Sequence, residues 1–190
     1  KKKAKIKIGY FSSELRDHAV GYCFSEVLNL HDKEKFEVNV YSFCEYNKND
    51  SIQKSIIDTV DNYKHLSKLT DIEIAKIVQS DQIDIAVDLM GYTGNARKVF
   101  SYRIAPLQIH LFGSTMGSKY LDYVITDKIV SPEKYRRYYT ENLIYLPGSY
   151  MPTNNKQKIC KKKITKEDMG LPKKSFVFCN FNQNYKISPE

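Results

Sequence analysis

Short apolar runs recur along this chain with helical patterns between them. Residues 4–11 (AKIKIGYF), 36–43 (FEVNVYSF), 83–90 (IDIAVDLM), 107–112 (LQIHLF) and 123–126 read as five strands, and 143–146 as a sixth. Between them, residues 20–30 and 71–79 place apolar side chains three and four apart, the spacing of one helix face. Thr70 precedes the second of these helices and Glu73 falls three positions later, so the pair predicts a capping box. Strands alternating with helices predict an α/β fold: a doubly wound, mainly parallel sheet covered on both faces.

The texture changes after Pro147. Residues 1–149 read as one complete α/β domain. Residues 150–172 are polar, carry Pro152 and a basic run, and read as a linker. Gly170-Leu171-Pro172 marks the entry to a second domain. Its first strand is expected over 175–180, followed by a polar turn and a helix start with Ser188 at the N-cap and Pro189 at N1. On this reading residues 173–190 are the opening of a second α/β domain.

Charge and composition narrow the class. The net charge is +8, but the positive residues gather in the opening KKK and in residues 156–166, beside Asn, Thr and Gln. That distribution suits a solvated linker better than a nucleic-acid groove, so no nucleic-acid partner is expected. No stretch approaches the roughly 18 apolar residues of a membrane span. The four cysteines form no CxxC pair. A reducing, cytoplasmic compartment is therefore expected, and no metal.

Polar residues that follow strands are the candidate chemistry, because ligands of such folds bind beyond the carboxyl ends of the strands. His18 lies just past the first strand and could take a proton from a hydroxyl near neutral pH; the alternative is a capping or surface histidine with Asp17 as the N-cap. The turn from Asp88 to Gly94, with Gly91 and the following Arg97, could offer backbone amides to an anion or a sugar, or could be a purely structural strand-to-helix turn. The same pair of readings applies to Gly113-Ser114-Thr115-Met116-Gly117 and to Asp127. Near the helix start at Ser188, Lys186 could neutralise a diphosphate and Gln183 could bond a base or phosphate oxygen, or the segment could be an irregular surface turn.

Taken in order, the stretches IGYFSSELRDHAVGY, FEVNVYSF, IDIAVDLMGYTGNAR, YRIAPLQIHLFGSTMG, LDYVITD and VFCNFNQNYKISP resemble the catalytic region of the O-linked N-acetylglucosamine transferase and Spindly family. The resemblance covers nearly the whole chain. It implies the Rossmann-like N-terminal half of a two-domain GT-B glycosyltransferase, preceded in the parent by tetratricopeptide repeats and located in the cytoplasm, or also the nucleus in a eukaryote. It implies inverting transfer of N-acetylglucosamine from UDP-GlcNAc to Ser or Thr hydroxyls of a protein or peptide acceptor, without a metal. His18 matches the family's active-site histidine, Lys186 its diphosphate lysine, and Gln183 a nucleotide-binding glutamine; Thr115 falls in the sugar-side loop, and Gly91 is taken with them as donor-binding. Two departures stand out. The loop usually reads GYPGTMG or GYPGTSG and is two residues shorter here, and Gly148 stands where the family usually has histidine. A GDP-fucose donor and a non-catalytic protein-binding module are the alternative readings.

Overall fold

A computed structural model describes residues 5–93 and 97–181. Seven strands form one sheet: β1 (Ile6–Ser12), β2 (Phe36–Ser42), β3 (Asn62–His65), β4 (Ile85–Asp88), β5 (Leu107–Leu111), β6 (Tyr123–Thr126) and β7 (Asn142–Tyr145). Their order is β3-β2-β1-β4-β5-β6-β7 and every pairing is parallel. The helices are α1 (Ala19–Asn29), α2 (Ser51–Thr59) and α3 (Asp71–Asp81). The sheet order reverses between β1 and β4, which is the switch point where such folds open a ligand crevice.

Alternation along the central strands sorts side chains to two cores. Tyr10, Val40 and Val87 join Phe24, Leu28 and Ile56 of α1 and α2 on one face. Phe11, Tyr41 and Ala86 join Ile74 and Val78 of α3, with Phe100, on the other. Phe11 and Tyr41 stack at 4.6 Å between centroids, and Gly9 leaves room for them, since a Cβ there would lie 2.9 Å from the Tyr41 ring. Burying an aromatic ring of this size contributes about 2–3 kcal/mol. The capping box of α3 is present, with Thr70 accepting from the Glu73 amide and Glu73 accepting from the Thr70 amide.

The structure adds two elements and corrects two expectations. Helix α2 and strand β3 have no counterpart in the sequence reading. β3 (NYKH) is a polar edge strand, for which an apolar alternation is not required, and α2 is held by Asp50, which accepts from the Gln53 amide at 2.9 Å. After the β4 turn comes a five-residue 3-10 segment, Lys98–Tyr102, rather than an α-helix. No strand forms over 175–180, where Phe176 and Phe178 are 81% and 91% exposed and pack only edge to face on each other. A strand needs a partner for its amides and carbonyls, and none stands beside this one among the described residues.

The chain divides into two compact units, Lys1–Asn155 and Lys156–Glu190. The first holds the sheet and all three α-helices. In the second, a 3-10 turn over Glu167–Met169 ends at Gly170, whose φ of 69° suits glycine.

Candidate active site at the carboxyl edge of the sheet

Parallel strands deliver successive carboxyl ends to one edge, so His18, Gly91, Gly113 and Asp127, which follow β1, β4, β5 and β6, all belong to the same rim. His18 is itself the N-cap of α1, with extended φ and ψ of −158° and 156°. Its Nδ1 accepts from the Val20 amide at 3.3 Å, and Asp17, the alternative cap, instead accepts from the Tyr22 hydroxyl. Nδ1 as acceptor fixes the neutral tautomer: the hydrogen sits on Nε2, which is then a donor. Glu14 Oε2 stands 3.7 Å from the same Nδ1 and would compete for it on protonation.

Beyond β4, Asp88 is a buried hub. Its Oδ1 accepts from the Met90 amide at 2.9 Å; its Oδ2 accepts from the Gly91 amide at 3.1 Å and lies 3.1 Å from His110 Nδ1. His110 is only 2% exposed, and its Nε2 lies 3.5 Å from the exposed Ser114 hydroxyl. Gly91 has a φ of 56°, and a Cβ there would stand 3.0 Å from His110 Cε1. Met90 crosses back to the turn just after β1, where its sulfur lies 3.2 Å from the Ser13 amide.

The short loop after β5 is built on unusual backbone. Phe112, Gly113 and Gly117 all have positive φ, of 107°, 74° and 57°. Thr115 donates its hydroxyl hydrogen to Glu141 Oε2 at 2.7 Å and accepts from the Gly117 amide at 3.0 Å, while Glu141 Oε1 accepts from the Met116 amide at 2.9 Å. Burial opposes ionisation of Glu141, but the Thr115 and backbone donors outweigh it and hold the carboxyl below its ordinary range. Tyr139 closes the loop from beneath, donating to the Gly113 carbonyl at 3.0 Å.

Asp127 is a turn lock. It accepts from the amides of Ile129 and Val130 at 2.9 Å each and of Tyr150 at 3.0 Å, and these bonds depress its carboxyl pKa. Arg97 is likewise occupied, donating to the carbonyls of Leu69 and Ser67 at 3.1 and 3.0 Å and pairing with Asp71. It fastens the 3-10 segment to the start of α3. Gly148 has a φ of 89° with open space around it. Gln183 and Lys186 lie outside the described residues.

His110 and Glu141 escape the sequence reading. The signal that could have found His110 is a polar residue inside the buried strand β5, LQIHL, where both His110 and Gln108 must find buried partners. Glu141 sits just before β7 with no local pattern around it; only the tertiary fold brings it to the Thr115 loop.

Residues 1–167 match the model of glycosyl transferase family 41. The chain belongs to that family. A probable UDP-N-acetylglucosamine–peptide N-acetylglucosaminyltransferase SEC of Arabidopsis thaliana is 35% identical over 98% of this family 41 chain and 20% of its own length. The UDP-N-acetylglucosamine–peptide N-acetylglucosaminyltransferase of Caenorhabditis elegans is 29% identical over 77% of the chain and 13% of its own. Among solved structures, an O-GlcNAc transferase mutant from Thermobaculum terrenum superposes with a TM-score of 0.75 at 34% identity, covering 80% of this chain and 29% of that one. The chain thus spans about a fifth or less of the curated relatives it matches. Among the described residues no helix is long and apolar enough to cross a membrane, and no cluster of three metal-ligating side chains occurs.

Proposed function

We propose that this chain is the N-terminal catalytic part of a protein O-GlcNAc transferase, which moves N-acetylglucosamine from UDP-GlcNAc to Ser or Thr hydroxyls with inversion. The observation that carries the reading is the family 41 match over residues 1–167, supported by the 34% identity to the Thermobaculum terrenum O-GlcNAc transferase. In the reaction the acceptor oxygen attacks the anomeric carbon, the bond from that carbon to the diphosphate breaks, UDP leaves with the electron pair, and the hydroxyl proton passes to water or to the departing diphosphate. Residues 1–149 form the catalytic half, 150–172 the linker, and 173–190 the opening of the nucleotide-binding half. Lys186 offsets the charge that grows on the leaving diphosphate, and Gln183 bonds the nucleotide. His18, with hydrogen on Nε2, donates to an oxygen of acceptor or phosphate at the positive end of α1. Gly91 and the Thr115 loop shape the sugar side. The four free cysteines, two of them exposed, suit a reducing cytoplasmic setting.

The test is transfer of labelled sugar to a panel of Ser/Thr peptides by the full-length protein, with UDP-GlcNAc and GDP-fucose compared. A β-linked GlcNAc product is expected. No transfer from either donor by folded protein would reject the enzyme reading in favour of a binding module.

A further inference from the structure

Two hydroxyls stand side by side in the shortened loop after β5, and their surroundings differ in one decisive respect. Thr115 gives its hydrogen to Glu141 and takes one from the Gly117 amide, so both directions of its hydroxyl are used inside the protein. Ser114 is exposed, and its hydrogen-bond partner is His110 Nε2 alone among the described residues. His110 and Asp88 are themselves more than nine-tenths buried. Asp88 is an acceptor that already holds the Met90 and Gly91 amides, so the bond to His110 Nδ1 runs from imidazole to carboxylate. In the neutral ring that places the imidazole hydrogen on Nδ1 and leaves the lone pair of Nε2 facing Ser114. The Ser114 hydrogen therefore points inward, and its oxygen turns only lone pairs to the outside.

We infer that Ser114 is a specificity-determining residue whose oxygen accepts a hydrogen bond from the bound sugar, and that Asp88 and His110 are positioning residues that fix this polarity. The inference rests on the proposed UDP-GlcNAc reading and names a contact within it. The ligand group is an O–H or N–H donor on the transferred sugar. A ligand oxygen bearing no hydrogen meets lone pair against lone pair at this position. Gly91 belongs to the same device, because any side chain there would stand 3.0 Å from His110 Cε1 and 3.4 Å from Nε2 and push the imidazole away from Ser114.

The experiment compares Ser114→Ala, His110→Asn and His110→Gln in the full-length protein. Binding of UDP-GlcNAc, UDP-glucose and UDP is measured by calorimetry, beside transfer kinetics. Ser114→Ala should weaken UDP-GlcNAc roughly five- to tenfold, the worth of one hydrogen bond, and leave UDP unchanged. His110→Asn cannot reach Ser114 and should show the same sugar-dependent loss. His110→Gln places a carbonyl oxygen near the Nε2 position and should recover most of it, which a loss of packing alone would not allow. A loss also seen with UDP-glucose assigns the donor to a sugar hydroxyl; a loss confined to UDP-GlcNAc assigns it to the amide N–H. Ser114→Ala with unchanged UDP-GlcNAc affinity, or with UDP weakened equally, overturns the inference while leaving the transferase reading intact. Wild-type protein that binds no UDP-sugar rejects both. Independently of any donor, nitrogen NMR of the 190-residue chain should show His110 as the neutral Nδ1–H tautomer, and an Nε2–H tautomer would overturn the assigned polarity.

Discussion

Gly91 lies against the edge of the His110 imidazole, so closely that a Cβ on residue 91 would come within 3.0 Å of Cε1. The residue also has a φ of 56°, in the left-handed region that only glycine enters freely. Two separate constraints therefore demand glycine at the end of β4. They come together because Asp88 holds both partners, accepting from the Gly91 amide with the oxygen that meets His110 Nδ1.

Gly91→Ala should accordingly destabilise the protein by about 1–3 kcal/mol, from backbone strain together with the steric clash. Urea unfolding measures it, and a slope unchanged from wild type would show that the folded surface is retained. Gly148→Ala provides the contrast. Its φ is 89°, but no atom lies within 4 Å of a new Cβ, so only the strain component applies and the loss should be smaller. Equal losses at the two positions would argue against a contribution from the His110 contact.

His18 caps α1, and one substitution separates that duty from its proposed role in transfer. As N-cap it satisfies the Val20 amide, and replacement by Ala should cost about 1 kcal/mol of stability. Asn is a good cap and restores that term, yet it lacks a donor where Nε2–H stands. His18→Asn should therefore match wild type in thermal unfolding while transfer by the full-length protein falls. Full activity in His18→Asn would reduce the residue to a cap.

Much of this arrangement is legible in the chain itself, and what is not has a physical reason. The strands β1, β2, β4 and β5 announce themselves because they are largely buried on both faces and therefore rich in apolar residues. The rim positions follow from parallel topology, since each polar turn comes directly after such a strand. β3 is hidden because an edge strand can be polar, and the expected strand over 175–180 fails because an apolar run does not pair by itself. Asp17 looks like the better cap than His18 on propensity, but its amide is drawn to Asp50 at 2.7 Å and its carboxylate to Tyr22. The partners of Thr115 and Ser114 lie 26 and 4 residues away, at Glu141 and His110. Local pattern carries no information about the first pair and little about the second.

Glu141 should give the loop a measurable acid sensitivity. Its carboxyl pKa is lowered from the ordinary 4.5, so the folded state favours the ionised form. The associated stability is present above about pH 4.5 and is lost as the pH falls through the folded value, because the unfolded chain then binds the proton first. Glu141→Gln can still accept one hydrogen bond but not both, from the Thr115 hydroxyl and the Met116 amide. It should cost roughly 1–3 kcal/mol at neutral pH. The gap between variant and wild type should narrow on acidification, as followed by urea midpoints from pH 7 to pH 3. A gap independent of pH would mean that Glu141 contributes through shape alone.

Lys186 bears on the proposed chemistry most directly. Departure of UDP leaves growing negative charge on the diphosphate, so a cation placed there binds the transition state more tightly than the ground state. Lys186→Ala in the full-length protein should therefore lower the chemical rate by the equivalent of about 2–4 kcal/mol, similar to removing one preorganised electrostatic donor. Single-turnover transfer of labelled GlcNAc to a Ser/Thr peptide isolates that step from product release. Thermal unfolding close to wild type would exclude misfolding as the cause. A rise in KM with an unchanged single-turnover rate would place Lys186 in ground-state binding of the nucleotide, and rates equal to wild type throughout would remove it from the site.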